Sequence, residues 1–401
     1  MQLTRRSFLK SSAVSLTAFM LPRGMVRPAQ ASTTSPVLVA IYLRGGADGL
    51  TLCVPAFDPF YYSLRPTVHV PAGTELPVSD GFGLNPALAD LLPLYQSGDL
   101  AIIHASGSHD PSRSHFDAQD FMEHASPGDK SVAEGWLNRY LSVAGGGAAL
   151  SGVTLAKQKV KAMLGAAPSL AFASIDGFEL TGNSVDARRE ALELRYELLP
   201  GTLLGDSVSD GLGALDVVGA VDTTTSVVYP AGEFGAALKD TAALIKADIG
   251  IQVIAIDLGG WDHHSNQLAR VGTLGAELAG GLAAFHQDLG ACAATTLTLC
   301  MTEFGRRAEE NGGGGTDHGH GGVMLALGGG VGGGRVLLRD GVWPGLDPAN
   351  LFVSLDLQVT TDFRDVFAEA LNRHMQLSVA ALGSVFPDFT VDTGDFPGLY
   401  L

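Results

Sequence analysis

The chain has 401 residues, of which 46% are apolar and 17% charged, enough to build a sizeable core in one large α/β domain or two smaller ones and too apolar for a disordered chain. Its formal net charge of −17 argues against nucleic acid and anionic membrane surfaces as partners. Three cysteines, Cys53, Cys292 and Cys300, without a C-x-x-C pair, exclude a disulfide framework and a thiolate zinc site, and read as small core residues.

Residues 1–31 stand apart from the rest. Thr4-Arg5-Arg6-Ser7-Phe8-Leu9-Lys10, a modest apolar stretch Ala13 to Leu21 and the small-residue site Ala29-Gln30-Ala31 read as a twin-arginine (Tat) export signal. The apolar stretch is far short of the roughly 20 residues a membrane span needs. The expected destination is periplasmic or secreted, with the export machinery as a transient partner. The leader carries Arg5, Arg6, Lys10, Arg23 and Arg27 and no acid, so its removal takes the net charge from −17 to −22.

Pro36 to Leu43 is a continuous apolar run that ends in Arg44-Gly45-Gly46-Ala47-Asp48-Gly49, the pattern of a central parallel strand feeding a tight turn. Asn85 to Gln96 reads as a helix and Leu100 to His104 as a second buried strand, which completes a β-α-β unit and predicts a parallel sheet. Ser112-Arg113-Ser114-His115-Phe116-Asp117 opens a helix through about His124, and Val132 to Val143 continues with amphipathic spacing. Residues 145–235 are less regular: a β-like stretch Ser169 to Ile175, a charged helix Asp186 to Leu198 and a Gly/Thr/Ser-rich passage from Gly201 to Ser226. That region reads as an insertion or cap over the main sheet.

Regular alternation resumes with a helix over Glu233 to Ala247, strand Ile251 to Leu258, helix Val271 to Leu289 and strands Thr296 to Met301 and Val323 to Leu327. Gly312 to Gly315 and the Gly328 to Gly334 cluster are loops or tight turns, and neither has the setting of a dinucleotide or phosphate loop. Thr361 to Phe367 opens the last helix, expected to run to about Met375.

Three segments concentrate acids and imidazoles at or beyond strand ends: Gly259-Gly260-Trp261-Asp262-His263-His264, Thr302-Glu303-Phe304-Gly305-Arg306 and Thr316-Asp317-His318-Gly319-His320. Carboxylates and imidazoles without thiolates suit Zn²⁺ or Mn²⁺, one ion or two. In an extended loop Asp262 and His264 share a side more easily than Asp262 and His263. Glu303 would join them if its strand neighbours theirs, and His318 and His320 could close on an ion from a flexible loop. Asp48, at the end of the first strand, offers a carboxylate from the other half of the sheet, or is simply a turn former. Arg306 and Arg113 could orient a carboxylate or grip an anion through their planar forks. Ser114 has the spacing of a helix N-cap, and a hydroxyl at that position, or at Ser112, could also serve as a nucleophile.

Taken in order, Leu43-Arg-Gly-Gly-Ala-Asp48-Gly-Leu, Arg113-Ser114-His115-Phe-Asp-Ala-Gln-Asp, Gly-Trp-Asp262-x-His264, Thr-Glu303-Phe-Gly-Arg306 and Thr-Asp317-His318-Gly-His320-Gly resemble the domain-of-unknown-function 1501 (DUF1501) family over the whole of residues 32–401. The resemblance implies an alkaline phosphatase-like, sulfatase-like fold, a three-layer α/β sandwich with a mostly parallel central sheet. It further implies metal ligation by Asp48, Asp262, His264, Glu303, His318 and His320, a hydroxyl nucleophile at Ser114 with Ser112 as runner-up, and Arg113 or Arg306 steadying a small anionic ester. The expected activity is metal-dependent hydrolysis of phosphate or sulfate esters, the alternative a non-catalytic envelope binding or assembly protein with a structural metal. His109 stands where the modified residue of a sulfatase Cys/Ser-x-Pro-Ser-Arg motif would be, which favours a phosphatase or phosphodiesterase.

Overall fold

The computed structural model describes residues 35–401, so the predicted leader lies outside the described residues. Nine strands form the main sheet: β1 Val37–Leu43, β2 Leu100–Gly107, β3 Gly152–Leu155, β4 Leu170–Phe172, β5 Val253–Leu258, β6 Thr296–Met301, β7 Gly322–Gly328, β8 Arg335–Leu337 and β9 Thr361–Asp362. The spatial order is β8-β2-β7-β6-β1-β5-β3-β4, with β9 paired to the far end of β2. Every pairing is parallel except the two made by β7, which runs antiparallel between β2 and β6. The expectation of a parallel sheet therefore holds for all strands but one. β7 reverses because the chain returns from β6 through a loop rather than a crossover helix, and an antiparallel neighbour needs no crossover.

The apolar run of β1 is buried at every position because the strand is covered on both faces. Val39, Ile41 and Leu43 face one layer, which holds α6 (Glu233–Lys246) and α7 (Gln267–Leu289) through Phe234, Leu238, Val271, Leu278 and Phe285. Leu38, Ala40 and Tyr42 face the opposite layer, where α2 (His115–His124), α3 (Trp136–Ala144) and α8 (Phe363–Glu369) contribute Met122, Trp136, Leu137, Phe363 and Phe367. The result is an α/β/α sandwich. Cys53, Cys292 and Cys300 are all buried and free, as core residues should be. Among the described residues no helix is long and apolar enough to cross a membrane.

Only part of the irregular middle lies outside the sheet. β3 and β4 fall within residues 145–235 and extend the parallel edge beyond β5, so this part of the expected cap is core architecture. The true excursion is a helical pair, α4 (Val185–Tyr196) and α5 (Leu203–Gly219). α5 occupies the passage whose composition suggested loop. Its start is capped by Thr202, whose hydroxyl accepts from the Gly205 amide at 3.1 Å, and Leu212, Ala214 and Val218 bury one side, which outweighs its glycines. The helix opening at Phe363 continues as a π turn over Ala370–His374, and a further helix, Val379–Val385, follows. Residues 85–96 are split between a 3₁₀ segment, Pro86–Leu91, and a short α-helix, Leu92–Ser97.

The first turn of α8 carries a buried acid without a compensating partner. Asp365 is 5% exposed, and its Oδ1 has no hydrogen-bond partner among the described residues. Burial, then the nearby Asp362 and Asp395 carboxylates, push its pKa to about 7. The folded state thus keeps a proton that the unfolded chain releases near pH 4, so stability falls as pH rises from about 4 to 7 and stays reduced above that. Asp365→Asn should be near neutral at pH 4 and raise stability at pH 8 by up to about 4 kcal/mol, which urea unfolding at the two pH values measures. An equal effect at both pH values would contradict this assignment.

Candidate metal centre

The C-terminal ends of β1, β5 and β6 lie side by side, which brings three loops to one rim. Gly45, in the turn after β1, has φ +121°, and a Cβ there would meet the Asp262 amide nitrogen at 2.5 Å. This glycine permits the turn after β1 to pass directly against the loop after β5. The loop that follows Glu303 is held to the same place by backbone bonds, Thr316 N–H to the His263 carbonyl at 3.2 Å and Gln267 N–H to the Gly314 carbonyl at 3.0 Å.

Asp262 Oδ1 is the focus of the rim. It lies 3.0 Å from His264 Nε2, 3.1 Å from His318 Nε2 and 3.5 Å from His115 Nε2. Nδ1 of each ring faces an oxygen: Glu303 Oε1 at 2.7 Å from His115, Asp317 Oδ1 at 3.1 Å from His264, and the Arg113 carbonyl at 2.8 Å from His318. An acceptor at Nδ1 favours the proton there and turns the Nε2 lone pair inward, the tautomer of a metal-bound imidazole. His115, Asp262 and His318 offer donor atoms that all lie within 4.8 Å of one another, and His264 stands beside this group, its Nε2 3.0 Å from His318 Nε2. Neighbouring donors around a tetrahedral ion with bonds near 2.0 Å stand roughly 3.3 Å apart, close to the 3.5 and 3.1 Å at which His115 and His318 stand from Asp262 Oδ1.

Electrostatics prepare the donors. Burial alone would raise the Asp262 pKa, but the guanidinium of Arg306, with Nη2 at 2.7 Å, and the neighbouring imidazoles hold the carboxyl well below the usual range. Glu303 is similar: burial opposes its charge, yet hydrogen bonds from His115 and from Gln119 at 2.9 Å leave it ionised. The Glu303 contact in turn raises the His115 pKa, while burial lowers that of His318. The two side chains most open to solvent are Asp262 and His264, at 47% and 44%, so the cluster meets water on one side.

Of the six acids and imidazoles expected as ligands, the structure brings together Asp262, His264 and His318, and places the other three elsewhere. Asp48 is 1% exposed and is taken up by Arg65, with Nη1 at 2.5 Å, by Thr51 Oγ1 at 2.7 Å and by Gln267 Nε2 at 2.5 Å. It also caps α1 (Gly49–Leu52), so it is a structural anion and not part of the cluster. Glu303 touches His115 and the Gly45 amide, one shell behind the donors. His320 is 6% exposed and stacks on Phe352 with ring centres 4.3 Å apart, and burial pushes its pKa down to about 4. His115 joins the cluster instead, although the sequence names it only as part of a motif. Its position just after a helix cap, at the mouth of the rim, is the signal that could have singled it out.

Arg306 is 1% exposed and fully used. It donates to Gly45 and Gly46 carbonyls, to Thr316 and Trp261 carbonyls, and to Asp262, which makes it the brace that ties the three loops together. The Arg113 guanidinium is bound to Asp356, while its carbonyl serves His318. Ser114 caps α2 through a long contact, 3.5 Å, from the Asp117 amide, and Ser112 Oγ accepts from the Ser114 amide at 3.3 Å. Ser114 stands in the chain between two residues that serve the cluster.

Residues 215–386 match the family model described as a protein of unknown function (DUF1501). That segment includes Asp262, His264, Glu303, His318 and His320 but ends short of the N-terminal half, which supplies His115. No curated protein matches the sequence. Among solved structures, the chain is similar to the C-terminal periplasmic domain of EcEptC from Escherichia coli, at 10% identity over 91% of this chain and 90% of that one, with a TM-score of 0.39. It is similar to the PsFucS1 sulfatase from Pseudoalteromonas sp., at 12% identity over 91% of this chain and 72% of that one, with a TM-score of 0.39. It is also similar to the alkaline phosphatase from the Antarctic bacterium TAB5, at 12% identity over 74% of this chain and 92% of that one, with a TM-score of 0.28. At these identities and scores the likenesses assign no activity to this chain.

Proposed function

We propose that the protein is an exported, divalent-metal-dependent hydrolase of phosphate or sulfate esters, with His115, Asp262 and His318 holding one Zn²⁺ or Mn²⁺ ion and His264 beside the open position. The observation that supports this reading is the donor cluster itself, convergent, backed at every Nδ1 and open to water on one side. A structural ion would be closed off by protein, whereas a half-exposed rim leaves room for a substrate oxygen. A bound ion would polarise the ester and lower the pKa of a nucleophilic hydroxyl or water.

The chain's own groups have separable roles. Arg306 and Glu303 fix the donors and are positioning residues, since each is committed to protein partners on the side away from the opening. Ser114 is the candidate nucleophile: its oxygen only weakly caps α2, and the peptide on either side of it is held at the cluster. Attack by Ser114 on phosphorus or sulfur would release the alcohol with a proton, and water would then free the serine with loss of phosphate or sulfate. Residues 1–31 would direct export by the twin-arginine route.

The test is turnover of an aryl phosphate, an aryl phosphodiester and an aryl sulfate by protein reconstituted with Zn²⁺ or Mn²⁺. Hydrolysis of at least one, abolished by chelator and restored by metal, is expected. A metal-loaded protein inert to all three would overturn the hydrolase reading.

A further inference from the structure

A second site adjoins the cluster on the same edge of the sheet. Beyond the C-terminal ends of β1, β3 and β5, a cleft of about 770 Å³ is lined by Arg44, Gln119, Lys157, Lys159, Glu233 and Asp257 among others, a volume typical of small-molecule sites. Its outer lip is the run Lys157-Gln158-Lys159-Val160-Lys161, three cations in five residues of a chain with net charge −17.

The ion pairs inside the cleft decide which of these charges are free. Arg44 is bound to Glu123 at 2.7 Å and to Asp257 at 2.8 Å, and Lys161 is bound to Asp120 at 2.8 Å. Lys157 and Lys159 have no such partner among the described residues, and both are exposed where they line the cleft. Glu233, the remaining acid of the lining, sits in the first turn of α6, where the helix N-terminus offsets its charge.

One side chain is common to the lining of the cleft and the surroundings of the candidate metal centre. Gln119 lines the cleft, its Oε1 lies 3.4 Å from Arg44 Nη1, and its Nε2 donates at 2.9 Å to the same Glu303 oxygen that holds His115. Gln119 is thus shared by the wall of the cleft and the contacts that hold His115.

We infer that Lys157 and Lys159 bind an anionic group, phosphate-like or carboxylate, at the end of the substrate remote from the ester under attack. This rests on the hydrolase reading and adds to it a substrate class: an elongated ester with a second negative charge. The second charge supplies affinity and register, and the cluster takes the ester.

Inorganic pyrophosphate binding, followed by titration calorimetry at low salt in EDTA, tests the site without relying on turnover. The wild-type chain should bind, K157Q/K159Q should weaken binding roughly 10–100-fold, from the loss of charge-assisted hydrogen bonds, and His318→Ala should leave it intact. The exposed Lys130→Gln is the control and should bind as wild type. Absence of binding, equal binding by K157Q/K159Q, or loss of binding in His318→Ala would overturn the cleft site. Retained lysine-dependent binding in a protein without esterase activity would instead count against the hydrolase reading alone.

Discussion

Replacement of His115 by alanine is expected to remove bound metal from the purified protein and to lower ester turnover by at least about a thousandfold, the scale of losing a directly participating group in a metal site. The imidazole is one of three donors within reach of a single ion, and its loss leaves two, too few for a tightly held ion. Glu303→Gln should give a milder result, metal affinity down roughly 10–100-fold with the fold intact, because Glu303 orients His115 instead of binding the ion. Metal content after dialysis and metal titration of the apoprotein measure both. If Glu303→Gln abolished metal binding and His115→Ala left it unchanged, the roles of the two residues would be reversed.

Asp48→Ala is expected to act on stability. Asp48 and Arg65 form an ion pair within the protein, each essentially inaccessible to water, and Thr51 and Gln267 complete the carboxylate's hydrogen bonds. Burial opposes the Asp48 charge, and Arg65 then holds its pKa below the ordinary value. Removal of the carboxylate leaves the guanidinium of Arg65 buried with only neutral acceptors, the Ala308 and Arg307 carbonyls and the Thr51 hydroxyl, an arrangement that typically costs about 3–5 kcal/mol. The sign with pH follows from the lowered pKa: the stabilisation is present above the ordinary carboxyl range and is lost as pH falls through the folded value. Denaturant unfolding at neutral pH should show this loss while metal affinity changes little. A variant of wild-type stability that no longer held metal would return Asp48 to the ligand set.

Much of the scaffold was legible because it rests on local pattern. The unbroken apolar run at 37–43 and the mostly apolar segment 296–301 read as buried strands, and both are. The Gly45-Gly46 segment was legible as a tight turn, and Gly45 there permits a backbone contact with Trp261 and Asp262 that other residues would prevent. Helix α5 was less so, because its stability comes from burying Leu212 and Val218, which composition does not register.

The site was half legible for a physical reason. Residue types announce that a group can bind metal, whereas the partner that competes for it is a tertiary fact. Asp48 has the right chemistry at the right strand end, but Arg65, seventeen positions later in an irregular stretch, takes its charge. His318 and His320 are two residues apart, yet Gly319 passes so close to the Arg306 backbone that a Cβ would lie 2.3 Å from its carbonyl carbon, and the two rings leave toward different neighbours. His115 and Glu303 were separated by 188 positions, and only the folded chain shows that the glutamate holds the histidine.

The account turns on which atoms hold the ion, and a crystal structure of the protein loaded with Zn²⁺ or Mn²⁺ measures that directly. It should show one ion within bonding distance, about 2.0–2.2 Å, of His115 Nε2, Asp262 Oδ1 and His318 Nε2, with the fourth position open to solvent and Asp48 still on Arg65. An ion held by Asp48, Glu303 or His320 in place of His115 would contradict it.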